Sequence, residues 1–188
     1  MILVLDLDGT VINRNKNKIY WADENIRAIF RKIGAREIDE IIVFSFSIFS
    51  SADIAYYTKL LANGLEEVFG CSRIRFIPMQ SFCDRIRKAE SGKYVLTNGL
   101  PMDDYTRLAN MGKRNVFLMW LREAEYLRGE VMFFDDTVYA PIEFLRFGGK
   151  NVTIFNVYGK RPVADMVDMN TGKAPKSKKS KKQWNHVN

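Results

Sequence analysis

Residues 2–11, ILVLDLDGTV, decide how this chain is read: four apolar residues, Ile2 to Leu5, run into Asp6, and a second carboxylate, Asp8, precedes Gly9 and Thr10. An unbroken apolar run of this length suits a strand buried on both faces, as in a parallel sheet covered by helices. The run ends in two acids one position apart. Either the strand turns into solvent there, or the acids belong to a reaction centre.

Composition narrows the second option. At 188 residues, 47% of them hydrophobic, the chain is long enough for one domain with a real core. No apolar run approaches the roughly 18–20 residues that span a bilayer. The short apolar N-terminus lacks the cationic start of a signal peptide. The expectation is a cytoplasmic protein with no membrane partner. Two cysteines, Cys71 and Cys83, are too few for a disulfide framework and lack zinc spacing. The single histidine, His186, lies in the tail, which removes Ser-His-Asp, Cys-His and histidine–metal chemistry together. Catalysis would have to run on carboxylates, hydroxyls, lysines and a hard metal ion.

The net charge of +7 is concentrated at one end, where six lysines follow from Lys173 onward with no acid among them. The remainder holds 23 basic and 22 acidic residues. Residues 161–188 therefore read as a Lys-rich disordered tail, serving either as a solubilising segment or as a loose contact for polyanions.

Along the chain, capped apolar runs alternate between strand-like and helix-like patterns. Strands are expected at Ile2–Leu5, Ile41–Phe44, Arg73–Pro78, Tyr94–Thr97, Val131–Phe134 and Val152–Val157. Asn98-Gly99 reads as a turn. Helices are expected at Asp23–Ile33 with Asp23 as N-cap, Ala52–Asn63 closed by Gly64, Phe82–Ala89, Asp103–Asn110, Val116–Tyr126 and Ile142–Phe147. Such alternation predicts an α/β, doubly wound parallel sheet with helices on both faces and ligands at the carboxyl ends of the strands.

That rule brings the acids together. Asp6, Ser45 and Asp135-Asp136 each close an apolar strand, so a parallel sheet gathers them at one edge. Two carboxylates about 4 Å apart repel by about 4 kcal/mol at an effective dielectric near 20, so three or four together call for a cation. All-oxygen ligands without histidine suit Mg²⁺. An EF-hand calcium loop does not fit, because neither a third ligand nor the distal glutamate follows.

The order DLDGT (6–10), an apolar strand ending in Ser45, a lysine, then FFDDT (133–137) resembles the haloacid dehalogenase superfamily of phosphotransferases over about residues 1–160. The resemblance implies a Rossmann-like fold and a Mg²⁺-dependent phosphatase. It makes Asp6 the nucleophile that forms an aspartyl-phosphate and Asp8 the acid/base. Ser45 and a lysine would bind the phosphate, and the metal would be held by Asp6, the Asp8 carbonyl, Asp135 and Asp136. Lys113, in GKRNVFLMWL and 22 residues before Asp135, fits the lysine best, with Arg114 and Lys93 as rivals.

Only 38 residues separate Asp6 from Ser45, enough for a short flap and one helix but not for a full cap. The 67 residues between Ser45 and Lys113 leave room for a small basic insertion at about 70–95. Arg73 and Arg75 share one strand face there and, with Thr10, are candidates for meeting the substrate. A site with little cap suits a large substrate, and the basic segment favours a nucleotide or nucleic-acid terminal phosphate. FSFS (44–47) resembles the second motif of small-capped phosphoprotein phosphatases, and a non-catalytic binding protein on the same fold is the third reading.

Overall fold

The computed structural model describes residues 1–15, 18–90, 103–125, 127–138 and 140–158. In chain order the elements are β1 (Ile2–Leu5), β2 (Ile12–Asn15), β3 (Lys18–Trp21), α1 (Asp23–Ile33), β4 (Glu40–Val43), α2 (Ser51–Phe69), β5 (Ile74–Phe76), α3 (Gln80–Glu90), α4 (Asp104–Met111), α5 (Lys113–Glu123), β6 (Glu130–Asp135), β7 (Ile142–Phe147) and β8 (Lys150–Asn156). The central sheet has six strands in the order β5-β4-β1-β6-β8-β7, and β2 and β3 form a separate antiparallel hairpin. The architecture is α/β with a mostly parallel sheet.

Strand β1 lies between β4 and β6 and is parallel to both, with Leu5 facing Val43 on one side and Phe134 on the other. Because side chains alternate across a strand, the two faces of this run feed two cores. Ile2 and Val4 join Phe44, Phe117, Trp120 and Phe133 on the face covered by α3, α4 and α5. Leu3 and Leu5 join Ile29, Val43, Leu61, Leu65 and Phe134 on the face covered by α1 and α2. Double coverage explains why these strands carry no polar alternation. After β1 the chain builds outward through β4 and β5, then crosses back to place β6 on the other side of β1. The topological switch point therefore lies between β1 and β6, and the crevice at such a point, outside the carboxyl ends of the strands, is where α/β sheets bind ligands.

Three expectations are corrected. Ile142–Phe147 is a strand, not a helix: β7 runs antiparallel to β8, so the sheet is not wholly parallel. Its burial alternates with period two, and Gly148 and Gly149, both at positive φ (56° and 75°), make the tight turn into β8. Second, Gly64 does not close α2, which continues to Phe69 and ends on left-handed Gly70 (φ 68°). Gly64 is small for a packing reason: a Cβ there would run into the Trp21 indole on β3. Third, Asp23 is the first residue of α1 and Ala22 is its cap, with no side-chain capping bond. Asp23 and Glu24 still place negative charge on the first turn, where the helix dipole favours it. A true capping box begins α2, between Ser50 and Asp53. The expected strand Tyr94–Thr97, the Asn98-Gly99 turn, Lys93 and the tail at 161–188 lie outside the described residues.

Candidate active site

The end of β1 fixes the first acid. The Asp6 amide still donates to the Phe134 carbonyl (3.0 Å), so its Cα is held in the sheet while its side chain passes the last row of the core. On the neighbouring strand Asp135 is the final residue of β6. Asp6 and Asp135 are 2% and 0% exposed, so bulk water reaches neither carboxyl. Asp136 follows, half-buried, and oxygens of the three carboxylates come within 4.8 Å of one another.

Lys113 is the cation that joins them. Gly112, at φ 79°, ends α4 and leads directly into α5, so Lys113 enters as the first residue of that helix. Its Nζ lies 2.9 Å from Asp6 Oδ1 and 2.9 Å from Asp135 Oδ2. These contacts hold its ammonium well above the ordinary lysine range despite burial. Of the rivals, Arg114 is turned to Glu143 (2.7 and 2.5 Å), and Lys93 is not among the described residues. Burial pushes the Asp6 carboxyl up to about 7, with Lys113 opposing the rise and Asp135 adding to it. Asp136 is also raised, first by burial and then by Asp135, with Lys113 opposing.

One ammonium against three carboxylates leaves the cluster short of positive charge. Asp135 Oδ1 is satisfied by the amide and hydroxyl of Thr137 (2.6 and 2.5 Å). Asp136 Oδ1, by contrast, is buried with no hydrogen-bond partner among the described residues. A buried carboxylate oxygen without a donor in an all-oxygen cluster fits a hard divalent cation, with Asp6, Asp135 and Asp136 as the residues that would hold it. Gly9 makes room for this arrangement: at φ 77° it turns the chain, and any Cβ there would overlap the Asp136 carboxylate.

Ser45 is buried two residues beyond β4, beside Asp6, where its hydroxyl acts to lower the pKa of that carboxyl. Thr10 is wholly buried on the turn after Gly9, and its hydroxyl has no hydrogen-bond partner among the described residues. Asp8 stands apart from the other acids. It accepts hydrogen bonds from Arg14 Nε, from Arg14 Nη2 (3.3 Å) and from the Ser47 hydroxyl. The loop carrying Asp8 is pinned at Gly9, whose carbonyl accepts from Asn25 Nδ2 (2.7 Å) and from the Tyr158 hydroxyl (3.1 Å).

The structure thus brings together Asp6, Ser45, Lys113, Asp135 and Asp136, with Asp8 and Thr10 on the adjoining turn. Arg73 and Arg75 are placed elsewhere. Arg75 pairs with Glu40 at the amino end of β4 (2.5 Å), and Arg73 precedes β5, its carbonyl accepting from the Ile41 amide (2.8 Å). That is the opposite end of the strands from Asp6, so their expected meeting with the substrate phosphate is corrected. Arg14, Asn25, Tyr57, Thr137 and Tyr158 were not singled out in the sequence. Ser47, as the second serine of FSFS, and Thr137, as the threonine of FFDDT, each had a signal. No helix among the described residues is long and apolar enough to cross a membrane. Compared with known proteins, the chain matches no family model, no curated protein and no solved structure.

Proposed function

We propose that this chain is a phosphomonoester hydrolase of the haloacid dehalogenase type, working through an aspartyl-phosphate on Asp6. The observation that carries the reading is Lys113, whose ammonium lies 2.9 Å from both Asp6 and Asp135 at the switch point of the sheet. An ammonium so placed neutralises the nucleophile and an arriving phosphate. Magnesium is the cation proposed for Asp6, Asp135 and Asp136. When bound it would screen the phosphate from the carboxylates.

In the first step an Asp6 oxygen bonds to phosphorus and the P–O bond to the leaving group breaks, the departing oxygen taking a proton from Asp8. In the second step water bonds to phosphorus, gives its proton to Asp8, and the electron pair of the broken P–O bond returns to Asp6. Ser45 and Lys113 donate hydrogen bonds to phosphoryl oxygens throughout. The sum is one ester and one water converted to one alcohol and one phosphate.

For the substrate, the reading keeps a nucleotide or nucleic-acid terminal phosphate. Between Asp6 and Ser45 the described elements are one hairpin, one helix and the core strand β4, which suits a large substrate such as a nucleic-acid end or a phosphoprotein. Arg73 and Arg75 no longer contribute to this preference. The test is phosphate release from p-nitrophenyl phosphate, mononucleotides, 3′- and 5′-phosphorylated oligonucleotides and phosphopeptides, with Asp6→Asn alongside. Hydrolysis that needs Mg²⁺ and is lost in Asp6→Asn supports the reaction. Turnover of phosphopeptides alone would move the substrate to phosphoproteins, and no turnover by the wild type would leave a binding protein on this fold.

A further inference from the structure

The hairpin β2–β3 performs a task that its exposed sequence does not announce. In its register Ile12 pairs with Trp21 and Arg14 with Ile19, so Ile12, Arg14, Ile19 and Trp21 share one face. That face lies on α2. The Trp21 indole covers Gly64, where a side chain would block it, and Arg14 meets Tyr57. Tyr57 is 6% exposed and holds the guanidinium twice, through its hydroxyl as acceptor and through its ring, whose centre is 5.5 Å away. The held guanidinium then forks onto both oxygens of Asp8, and Ser47 donates to one of them.

The Arg14–Asp8 pair itself is 39% and 35% exposed, too wet to add much to folding stability. A two-pronged guanidinium contact does fix the plane of a carboxylate, which a single ammonium does not. We propose that Arg14, seated on Tyr57, is a positioning residue that holds the Asp8 carboxylate out of the Asp6–Asp135–Asp136 cluster and aimed at the attacking water. The inference rests on the phosphatase reading above. It assigns the hairpin to the second chemical step, where Asp8 receives the water proton as the P–O bond to Asp6 breaks.

A substrate with a good leaving group separates the two steps. Nitrophenolate departs without needing a proton, so formation of the aspartyl-phosphate continues when Asp8 is misaimed, whereas its hydrolysis slows. Stopped-flow release of nitrophenolate from p-nitrophenyl phosphate, with the full chain and Mg²⁺, is the experiment. Arg14→Gln should show a burst close to one equivalent per enzyme, followed by a steady rate about tenfold or more below wild type, part of the 10²–10⁴-fold that acid–base catalysis supplies. Tyr57→Phe, which keeps the ring and removes the acceptor, should shift in the same direction by less. The Mg²⁺-induced rise in melting temperature should match wild type in both, because the three clustered carboxylates are untouched. Progress curves without a burst, with all turnovers slowed alike or not slowed, would overturn the role of Arg14 while leaving the reaction standing. An inactive wild type would overturn the reaction and this role with it.

Discussion

Lys113 carries the electrostatics of the cluster, and its removal is the most informative single change to stability. Breaking a buried ion pair by deleting one partner costs about 3–5 kcal/mol, because the other charge is left unpaired. Lys113→Met should therefore destabilise the metal-free protein by about that much at pH 8 in urea unfolding. At pH 5 the loss should be smaller, since Asp6, with its pKa raised to about 7, is then protonated and needs no cation. The same raised carboxyls set the pH dependence of the wild type. Asp6 and Asp136 bind their protons more tightly folded than unfolded, so the folded state gains from them at low pH. Their contribution is fully present below the unfolded value near pH 4 and is lost as pH rises toward 7. Thermal unfolding in a chelator should show the melting temperature falling over that window in wild type and falling less in Asp136→Asn. An equal fall in both would show that Asp136 is not part of the effect. Adding Mg²⁺ at pH 8 should raise the melting temperature of wild type and leave Asp136→Asn largely unmoved, because binding to the folded form alone stabilises it.

At the scale of elements, hairpin β2–β3 and helix α2 behave as a unit joined at Gly64. Replacing an interior helical glycine by alanine ordinarily gains about 1 kcal/mol. Here the added Cβ would meet the Trp21 ring, and overpacking of that kind costs about 1–3 kcal/mol. Gly64→Ala should therefore destabilise by urea titration and change the Trp21 fluorescence; a stabilised variant would show that the indole yields freely. This junction also shows where the sequence stops being legible. Asp6, Ser45, Asp135 and Asp136 could be read because each directly follows an apolar run, and strand ends in a parallel sheet converge whatever lies between them. Lys113 could be read only through the family resemblance, which asks for a lysine at the start of the helix before the strand that ends in Asp135-Asp136. The pairing of Arg14 with Tyr57, and of Trp21 with Gly64, depends on how a hairpin docks on a helix many residues away, and local pattern holds no record of it. For the same reason Gly64 reads as a helix stop. Strand β7 is ambiguous for a different reason: IEFLRF supports either periodicity over so few residues, and the Gly148-Gly149 pair after it, a hairpin-turn dipeptide, is the stronger signal.

For the molecule as a whole, the net charge is concentrated at one end of the sequence. The residues before Lys173 carry 23 basic against 22 acidic side chains, whereas the six lysines after that point supply most of the net +7. Binding to polyanions should accordingly follow the tail. Truncation before Lys173 should weaken affinity for single-stranded DNA and flatten its salt dependence, and leave turnover of p-nitrophenyl phosphate unchanged. Unaltered affinity and slope would assign the contact to the residues before Lys173 instead. The sheet order accounts for the position of the site: the chain reverses its direction of building between β1 and β6, and of the two strands flanking that crevice β1 runs into Asp6 and β6 ends in Asp135. On the proposed reaction, Asp6 forms a covalent bond to phosphorus. Rapid quenching of the Mg²⁺-supplemented protein with phosphate-labelled p-nitrophenyl phosphate, followed by borohydride reduction and peptide mass spectrometry, tests it most directly. An aspartyl-phosphate there predicts that the protein-bound phosphate label is released by hydroxylamine, that position 6 becomes homoserine as borohydride displaces the phosphate, and that both signals vanish in Asp6→Asn; phosphate release with no label on the protein, or homoserine at another position, would contradict it.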